Sequence, residues 1–348
     1  MSKYDKKTLD MLLKGGLLDE EEYDKLVSSD TVVFSEENFS KFKERLKNKS
    51  NNTAKAYMTS VAKIAEKLGY RNGRMEVGAN EIEKFLKELV SEGYTYGSIR
   101  RYKSSLAYYH ESVENSRSVV RDIDLSSIQS DGSDNYFFRE DEIYSIANSC
   151  DLRSKLMIRL LFETGARRQE MIDLKKQHID YSDNSLKVNY GQKDERTLYF
   201  SEETKSLIIK YIEEWKDEVE DINYKRKIKE SKTGTKQSYV AVSDYLFQTI
   251  RAEQISYSTL YKILKDCSFY YFYSREIKNK NKNEAMIRAE KLSSSFHTES
   301  IRNSRIADLI SKGVTNEKIQ IIMGIKNSWE VKKFGKASQQ LYPERFRL

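Results

Sequence analysis

The chain is poor in residues that interrupt helices. Its 348 residues contain one proline, Pro343, and 14 glycines, which predicts a mostly helical protein with few tight turns. Cysteine is nearly missing. Only Cys150 and Cys267 occur, in no C-x-x-C or Cys/His cluster, so neither a zinc site nor a disulfide framework is expected. Two ordinary thiols suit a reducing cytoplasm. No apolar run approaches the roughly 20 residues of a membrane span. The start, Met1-Ser2-Lys3-Tyr4-Asp5, lacks the apolar core of a signal peptide. No fixed-period repeat occurs.

Charge is abundant instead. Charged residues make up 33% and hydrophobic residues 38%, with a mean hydropathy of −0.74. Lys and Arg number 61 against 54 Asp and Glu, a net charge of +7. That modest excess permits a nucleic-acid partner without proving one. Its distribution matters more, because acid-rich stretches such as Asp19-Glu20-Glu21-Glu22 offset basic surface elsewhere.

Residues 1–32 read as a helical arm with a Leu9, Leu12, Leu13, Leu17 stripe interrupted by Gly15-Gly16. Residues 33–115 read as a helical bundle. Asn52 and Asn80 are candidate caps, and Gly69 and Gly93 candidate stops. A fourth helix from about Thr95 buries Ile99, Tyr102, Leu106 and Tyr109. Its other face carries Arg100, Arg101, Lys103, Ser104 and Ser105, either a solvated face or a DNA-binding one, since cations and hydroxyls suit phosphates and base edges. Residues 116–135 are Ser/Asp-rich and unpatterned, as a linker is. Residues 136–348 form a second domain. A β-hairpin is expected over 185–200 with its turn at Gly191-Gln192-Lys193-Asp194. Helices are expected around 202–216, 257–267 and 275–291. Lys225–Lys236 reads as a mobile basic loop, solvated or reaching a phosphate backbone.

Two separated stretches carry the chemistry. Thr164-Gly165-Ala166-Arg167-Arg168-Gln169-Glu170 closes one helix and opens another. Glu299-Ser300-Ile301-Arg302 follows far downstream, with Gly313 and Gly324 after it. Cleaving a phosphodiester without a metal requires neutralising its non-bridging oxygens, and two guanidiniums with fixed paired donors do this well. Arg167, at a helix start where backbone N–H groups are free, is the first candidate. Arg302 is the second. A Lys on a hairpin turn can protonate the leaving oxygen, and Lys193 or Lys187 fits that position.

This skeleton resembles the catalytic domain of the tyrosine recombinases, the phage and transposon integrases with the Xer-type and Cre-type enzymes. The resemblance covers roughly 34–348 and is most specific in the second domain. It implies a mainly α protein with a small β-sheet: a helical core-binding domain and a mixed α/β catalytic domain closing as a C-clamp around DNA. It tips the Arg100, Arg101, Lys103, Ser104 face toward DNA. It implies that Arg167 and Arg302 hold the scissile phosphate, that Glu170 buttresses them, and that Lys193 (or Lys187) is the general acid. Glu299 stands where the family usually has His, and Ile325 where it has His or Trp, with Lys326 as a substitute donor. His297 ranks second to Glu299, because on a continuous helix it would face elsewhere. The resemblance also implies a double-stranded DNA recombination site as partner and no metal or nucleotide cofactor. Assembly as a homotetramer on two duplexes is implied too, the tail Gly335–Leu348 docking on a neighbouring copy.

One position departs from the family. The attacking Tyr is expected 32 residues after Arg302, and Phe334 stands there. Three explanations compete: an engineered Tyr→Phe change, a nucleophile displaced to Tyr342, or a natural relative that binds DNA without cutting it. The first is favoured, because every other landmark is in register and Pro343 ends any helix carrying Tyr342. The expected activity is that of an integrase of a mobile element or a Xer-like resolvase, working through a 3′-phosphotyrosyl intermediate.

Overall fold

The computed structural model describes residues 11–17, 19, 31–115, 117–125 and 136–346. The chain divides into two units, Met1–Asp134 and Asn135–Leu348, each with its own apolar core.

In the first unit, strand β1 (Thr31–Ser35) pairs antiparallel with β2 (Arg74–Gly78). Four helices accompany them: α1 (Glu36–Leu46), α2 (Asn51–Lys67), α3 (Ala79–Ser91) and α4 (Tyr96–Glu114). Hydroxyl side chains start three of these. Ser35, Ser50 and Thr95 accept from the backbone N–H groups of Asn38, Thr53 and Ser98, satisfying donors that a helix start leaves free. The caps therefore lie at Ser50 and Gly78, ahead of Asn52 and Asn80. Phe42, Val61, Ile64, Leu86, Ile99, Leu106 and Tyr109 meet in the core. The strands were not anticipated from the helical periodicity. Val32 and Phe34 alternate inward on β1, too short a run to stand out. Residues 11–14 are helical and stop at Gly15-Gly16. Thr31 and Val32 belong to β1, and residues 1–10, 18 and 20–30 of the expected arm lie outside the described residues. The start of the expected linker folds onto this unit: Val120, Ile123 and Leu125 are buried in its core. Residues 116 and 126–135 lie outside the described residues.

The second unit is built around α6 (Leu152–Thr164), flanked by α5 (Glu140–Asn148) and the short α7 (Arg168–Ile172). Every side chain from Leu156 to Thr164 is buried, as befits a helix covered on all sides. The two charges in that stretch, Arg159 and Glu163, pair at 3.0 Å. Glu163 also accepts from Ser201 N–H and the Thr204 hydroxyl, both at 2.8 Å. A three-stranded antiparallel sheet follows, in the order β3 (Ile179–Asp180), β4 (Ser185–Val188), β5 (Arg196–Tyr199), so the expected hairpin forms. Helix α8 (Glu202–Thr233) is twice the length anticipated. Lys225–Thr233 is its last part, and the chain breaks only at Gly234, φ 67°. Gly, Ser and Thr content made this stretch read as a loop. Helices α9 (Tyr257–Glu276) and α10 (Lys282–Ser294) form a hairpin, followed by α11 (Thr298–Ser311), α12 (Asn316–Met323), α13 (Ser328–Lys332) and α14 (Gly335–Leu341).

The tail, expected to dock on a neighbouring copy, folds against its own unit in the single chain. The Ser338 hydroxyl donates to Ala307 O at 2.7 Å. Arg345 reaches the buried Asp308 carboxylate at 3.3 Å, and Arg139 bonds Leu341 O. Among the described residues no helix is long and apolar enough to cross a membrane.

Candidate active site

Two helix ends create the site. Helices α6 and α12 both stop at a glycine in the left-handed region, Gly165 (φ 61°) and Gly324 (φ 60°). A Cβ on Gly165 would displace the end of the Met323 side chain, and the left-handed backbone itself favours glycine there. Carbonyls at helix C-termini lack intrahelical partners. Here arginines satisfy them. Arg302, on α11, donates to Gly165 O and Met323 O. Arg167, the N-cap residue of α7, donates to Gly324 O. Adjacent carbonyls thus set the two guanidiniums side by side.

Glu170 anchors the arrangement from behind. It accepts from Arg167 N–H at 2.6 Å and from Arg167 Nη1 at 3.0 Å. Arg196, at the start of β5, meets the same carboxylate through Nη1 at 2.5 Å and Nη2 at 2.6 Å. Asn189 adds a donor at 3.2 Å. Burial alone would raise the Glu170 pKa. The Arg196 hydrogen bonds, the Arg167 N–H and the two guanidinium charges outweigh it and hold the carboxyl below its ordinary 4.5. Two guanidiniums therefore share one buried carboxylate, and the third, Arg302, bonds backbone carbonyls alone. Burial, then repulsion from Arg167 and Arg196, pulls Arg302 down to about 10, so it stays charged at neutral pH. The surplus is positive.

Arg167 and Arg302 face a cleft of about 880 Å³ within the second unit, which Glu299, Lys326 and Phe334 also line. Phe334 sits at the head of α14, its ring edge-on to Phe137 at 5.9 Å. His297 lines the cleft too. The premise that ranked it second, a continuous helix through 297–302, does not hold. Helix α11 begins at Thr298, and His297 is its cap, Nδ1 accepting from Ser300 N–H at 3.2 Å. That bond leaves the ring proton on Nε2. Burial lowers the His297 pKa, and Glu299 partly opposes this. Tyr257 and Tyr261 complete one wall, with Arg168 over the Tyr257 ring at 3.9 Å.

Other expected residues lie elsewhere. Lys193 is exposed in the hairpin turn, and Lys187 is exposed on β4 with its ammonium 6.0 Å from the Tyr190 ring. Neither lines the cleft. Tyr342 is buried, and its hydroxyl accepts from Glu140 N–H at 3.0 Å. It does not line the cleft either. Burial pushes its phenol up to about 12. Sequence reasoning overlooked Arg196. The signal available was the Glu195-Arg196 pair at the far end of the predicted turn. Among the described residues no group of three or more His, Cys, Asp or Glu is placed to hold a metal ion.

In the first unit, Arg100, Arg101 and Ser104 are exposed on α4. Lys103 is turned onto the carbonyls of Arg121 (2.8 Å) and Ile123 (2.5 Å), and desolvation lowers its pKa. Ser105 is fully buried. A groove of about 440 Å³ between α2 and α4 adds Lys55, Thr59 and Lys63 beside Arg101, residues that sequence reasoning did not single out.

Comparison with known proteins agrees with this architecture. The family described as "Phage integrase family" matches residues 136–340, and "Phage integrase, N-terminal SAM-like domain" matches 37–118. Tyrosine recombinase XerA of Saccharolobus solfataricus is 30% identical over 157 residues, 44% of this chain and 50% of that protein. A tyrosine recombinase of Thermosipho africanus is 29% identical over 192 residues, 51% of this chain and 66% of that protein. The chain thus spans half to two thirds of these relatives' length. Among solved structures, a Tyr→Phe variant of the Tn1549 transposon integrase in complex with transposon right end DNA aligns with a TM-score of 0.62. It is 17% identical, and 89% of this chain and 99% of that one are covered. XerH recombinase bound to palindromic difH substrate gives 0.57 at 16% identity, covering 88% and 82%. These likenesses show the fold.

Proposed function

This chain belongs to the phage integrase family, and from that premise we propose that it is a site-specific DNA recombinase acting through a 3′-phosphotyrosyl intermediate. The observation that carries the reading is the arginine pair. Arg167 and Arg302 line one cleft, positioned by helix-end carbonyls, with charge left over for an anion. Preorganised donors of this kind stabilise the charge that develops on a phosphoryl group.

In the proposed reaction a tyrosine oxygen attacks phosphorus and forms the P–O bond to the protein. The bond to the 5′-oxygen breaks, and that oxygen takes a proton from Lys193 or Lys187 as the hairpin turn swings in. The phenolic proton passes to Glu299. Attack by a 5′-hydroxyl reverses the sequence and rejoins the strand. No step requires a metal or nucleotide cofactor. Arg100, Arg101 and Ser104, with Lys55 and Lys63, contact the duplex from the first unit. Four copies assemble on two duplexes with the tail exchanged between neighbours.

Phe334 occupies the nucleophile position and is a Tyr→Phe change from the active enzyme, so the chain as it stands binds DNA without cutting. A second reading, a natural DNA-binding protein on a recombinase scaffold, draws on the housing of that ring. It packs against Phe137 and the cluster around Ile306, Leu309 and Met323 as an ordinary apolar side chain. Incubation of a nicked suicide duplex with Phe334→Tyr, followed by denaturing electrophoresis, distinguishes the two. A covalent adduct in EDTA supports the recombinase. Tight binding with no adduct supports the scaffold protein.

A further inference from the structure

Helix α8 changes charge along its length. Residues 202–221 carry eight acids and three lysines. Residues 223–236 carry six cations, Lys225, Arg226, Lys227, Lys229, Lys232 and Lys236, against the single acid Glu230. That is +5 in 14 residues, when the whole chain has +7.

Its last core contacts are Val219 and Ile222. Beyond them the helix continues for eleven residues, roughly 16 Å. The returning chain braces this arm. Asn223 and Val240 exchange two hydrogen bonds of 2.8 Å, Arg226 donates to Ser238 O, and the Tyr239 hydroxyl donates to Glu230 at 2.9 Å. The arm is therefore ordered before any partner arrives, which lowers the entropic cost of binding.

Helix stability does not account for the charge. Cations favour a helix C-terminus only within its last turn. Lys225, Lys227 and Lys229 lie further back, and like charges at i,i+4, such as Lys225 and Lys229, repel. Lys225 is paired with Asp221 at 2.6 Å. Lys227, Lys229, Lys232 and Lys236 are exposed and make no ion pair with any described residue. Lysines at 225, 229 and 232 follow one helical face, beside the exposed Tyr224 ring. Lysine ammoniums bind phosphates as point charges, without the paired geometry of arginine, and such backbone contacts carry no sequence information.

We propose that this braced basic arm, residues 223–236, is an additional DNA-backbone contact of the second unit, gripping phosphates beyond the one held in the arginine cleft. The proposal rests on the recombinase reading for its partner. It assigns the arm to affinity and salt dependence and leaves sequence choice to other surfaces.

The test uses the full chain and a variant with Lys227, Lys229, Lys232 and Lys236 all changed to Gln, a comparable helix former. Fluorescence anisotropy with a labelled random-sequence duplex gives Kd across a salt series, and circular dichroism checks that helix content is kept. Each lost phosphate contact makes the slope of log K against log[salt] shallower by about 0.9, so a drop of about 2 or more is expected. An unchanged slope with intact helix overturns the arm's role. Wild-type chain that fails to bind the duplex at all overturns the recombinase reading with it. Loss of self-association by sedimentation, with the slope unchanged, assigns the arm to a second copy and also overturns the proposal.

Discussion

Arg196 and Glu170 are joined by two parallel hydrogen bonds, with side chains only 9% and 3% exposed, and the Arg167 guanidinium bonds the same carboxylate. Removing one partner of such a pair leaves an uncompensated buried charge, at a cost of about 3–5 kcal/mol. Glu170→Gln should lose stability on that scale in urea unfolding and weaken DNA binding as Arg167 loses its support. The pH response follows from the same contacts. The folded carboxyl titrates below 4.5, so the unfolded state binds the proton first and stability falls as pH drops below that value. Acid unfolding of Glu170→Gln should lack this component.

His297 has its pKa lowered by burial from 6.5. Its contribution is fully present above 6.5, declines as pH falls from there, and levels off below the folded value. His297→Asn keeps a good helix cap and removes the titration. Stability of the wild type minus that of the variant should decline through this window. Taking the difference cancels His110 and His178, whose pKa values burial also lowers. A flat difference would contradict the cleft-lining cap.

Gly165 combines a left-handed backbone with a carbonyl that Arg302 binds. An alanine there costs about 1–2 kcal/mol for the conformation alone, and its Cβ displaces Met323. Gly165→Ala should lower thermal stability by that amount and reduce phosphate affinity through Arg302. Gly313→Ala supplies the control, since its left-handed backbone has open space around it.

Tyr342 gives a contrasting expectation. Its hydroxyl completes a hydrogen bond from Glu140 N–H, worth about 1 kcal/mol. Tyr342→Phe should cost that stability and leave adduct formation by Phe334→Tyr intact. Loss of the adduct would place the nucleophile at Tyr342.

The two arginine stretches were legible because glycine helix stops punctuate them at fixed distances from the arginines. Helical stripes such as Ile99, Tyr102, Leu106 and Tyr109 were legible for the same periodic reason. Arg196 escaped because its partner Glu170 lies 26 residues earlier, and only the folded sheet brings them together. His297 ranked behind Glu299 because the break before α11 depends on a reciprocal cap with Ser300, whose own side chain bonds His297 N–H. Helix α8 outran its expected end because the returning chain braces it, Val240 bonding Asn223 and Ser238 bonding Arg226, which composition does not show. Lys103 looked like a surface cation until the chain after α4 folded back to accept its hydrogen bonds.

The central claim is that residue 334 holds the place of the nucleophile over the Arg167–Arg302 pair. Phe334→Tyr should be incubated with a suicide duplex, digested, and the DNA-linked peptide mapped by mass spectrometry. The account predicts one adduct, on the residue introduced at position 334, that disappears when Arg302→Gln is added. An adduct on Tyr257, Tyr261 or Tyr342, or one formed equally by the unaltered chain, would contradict it.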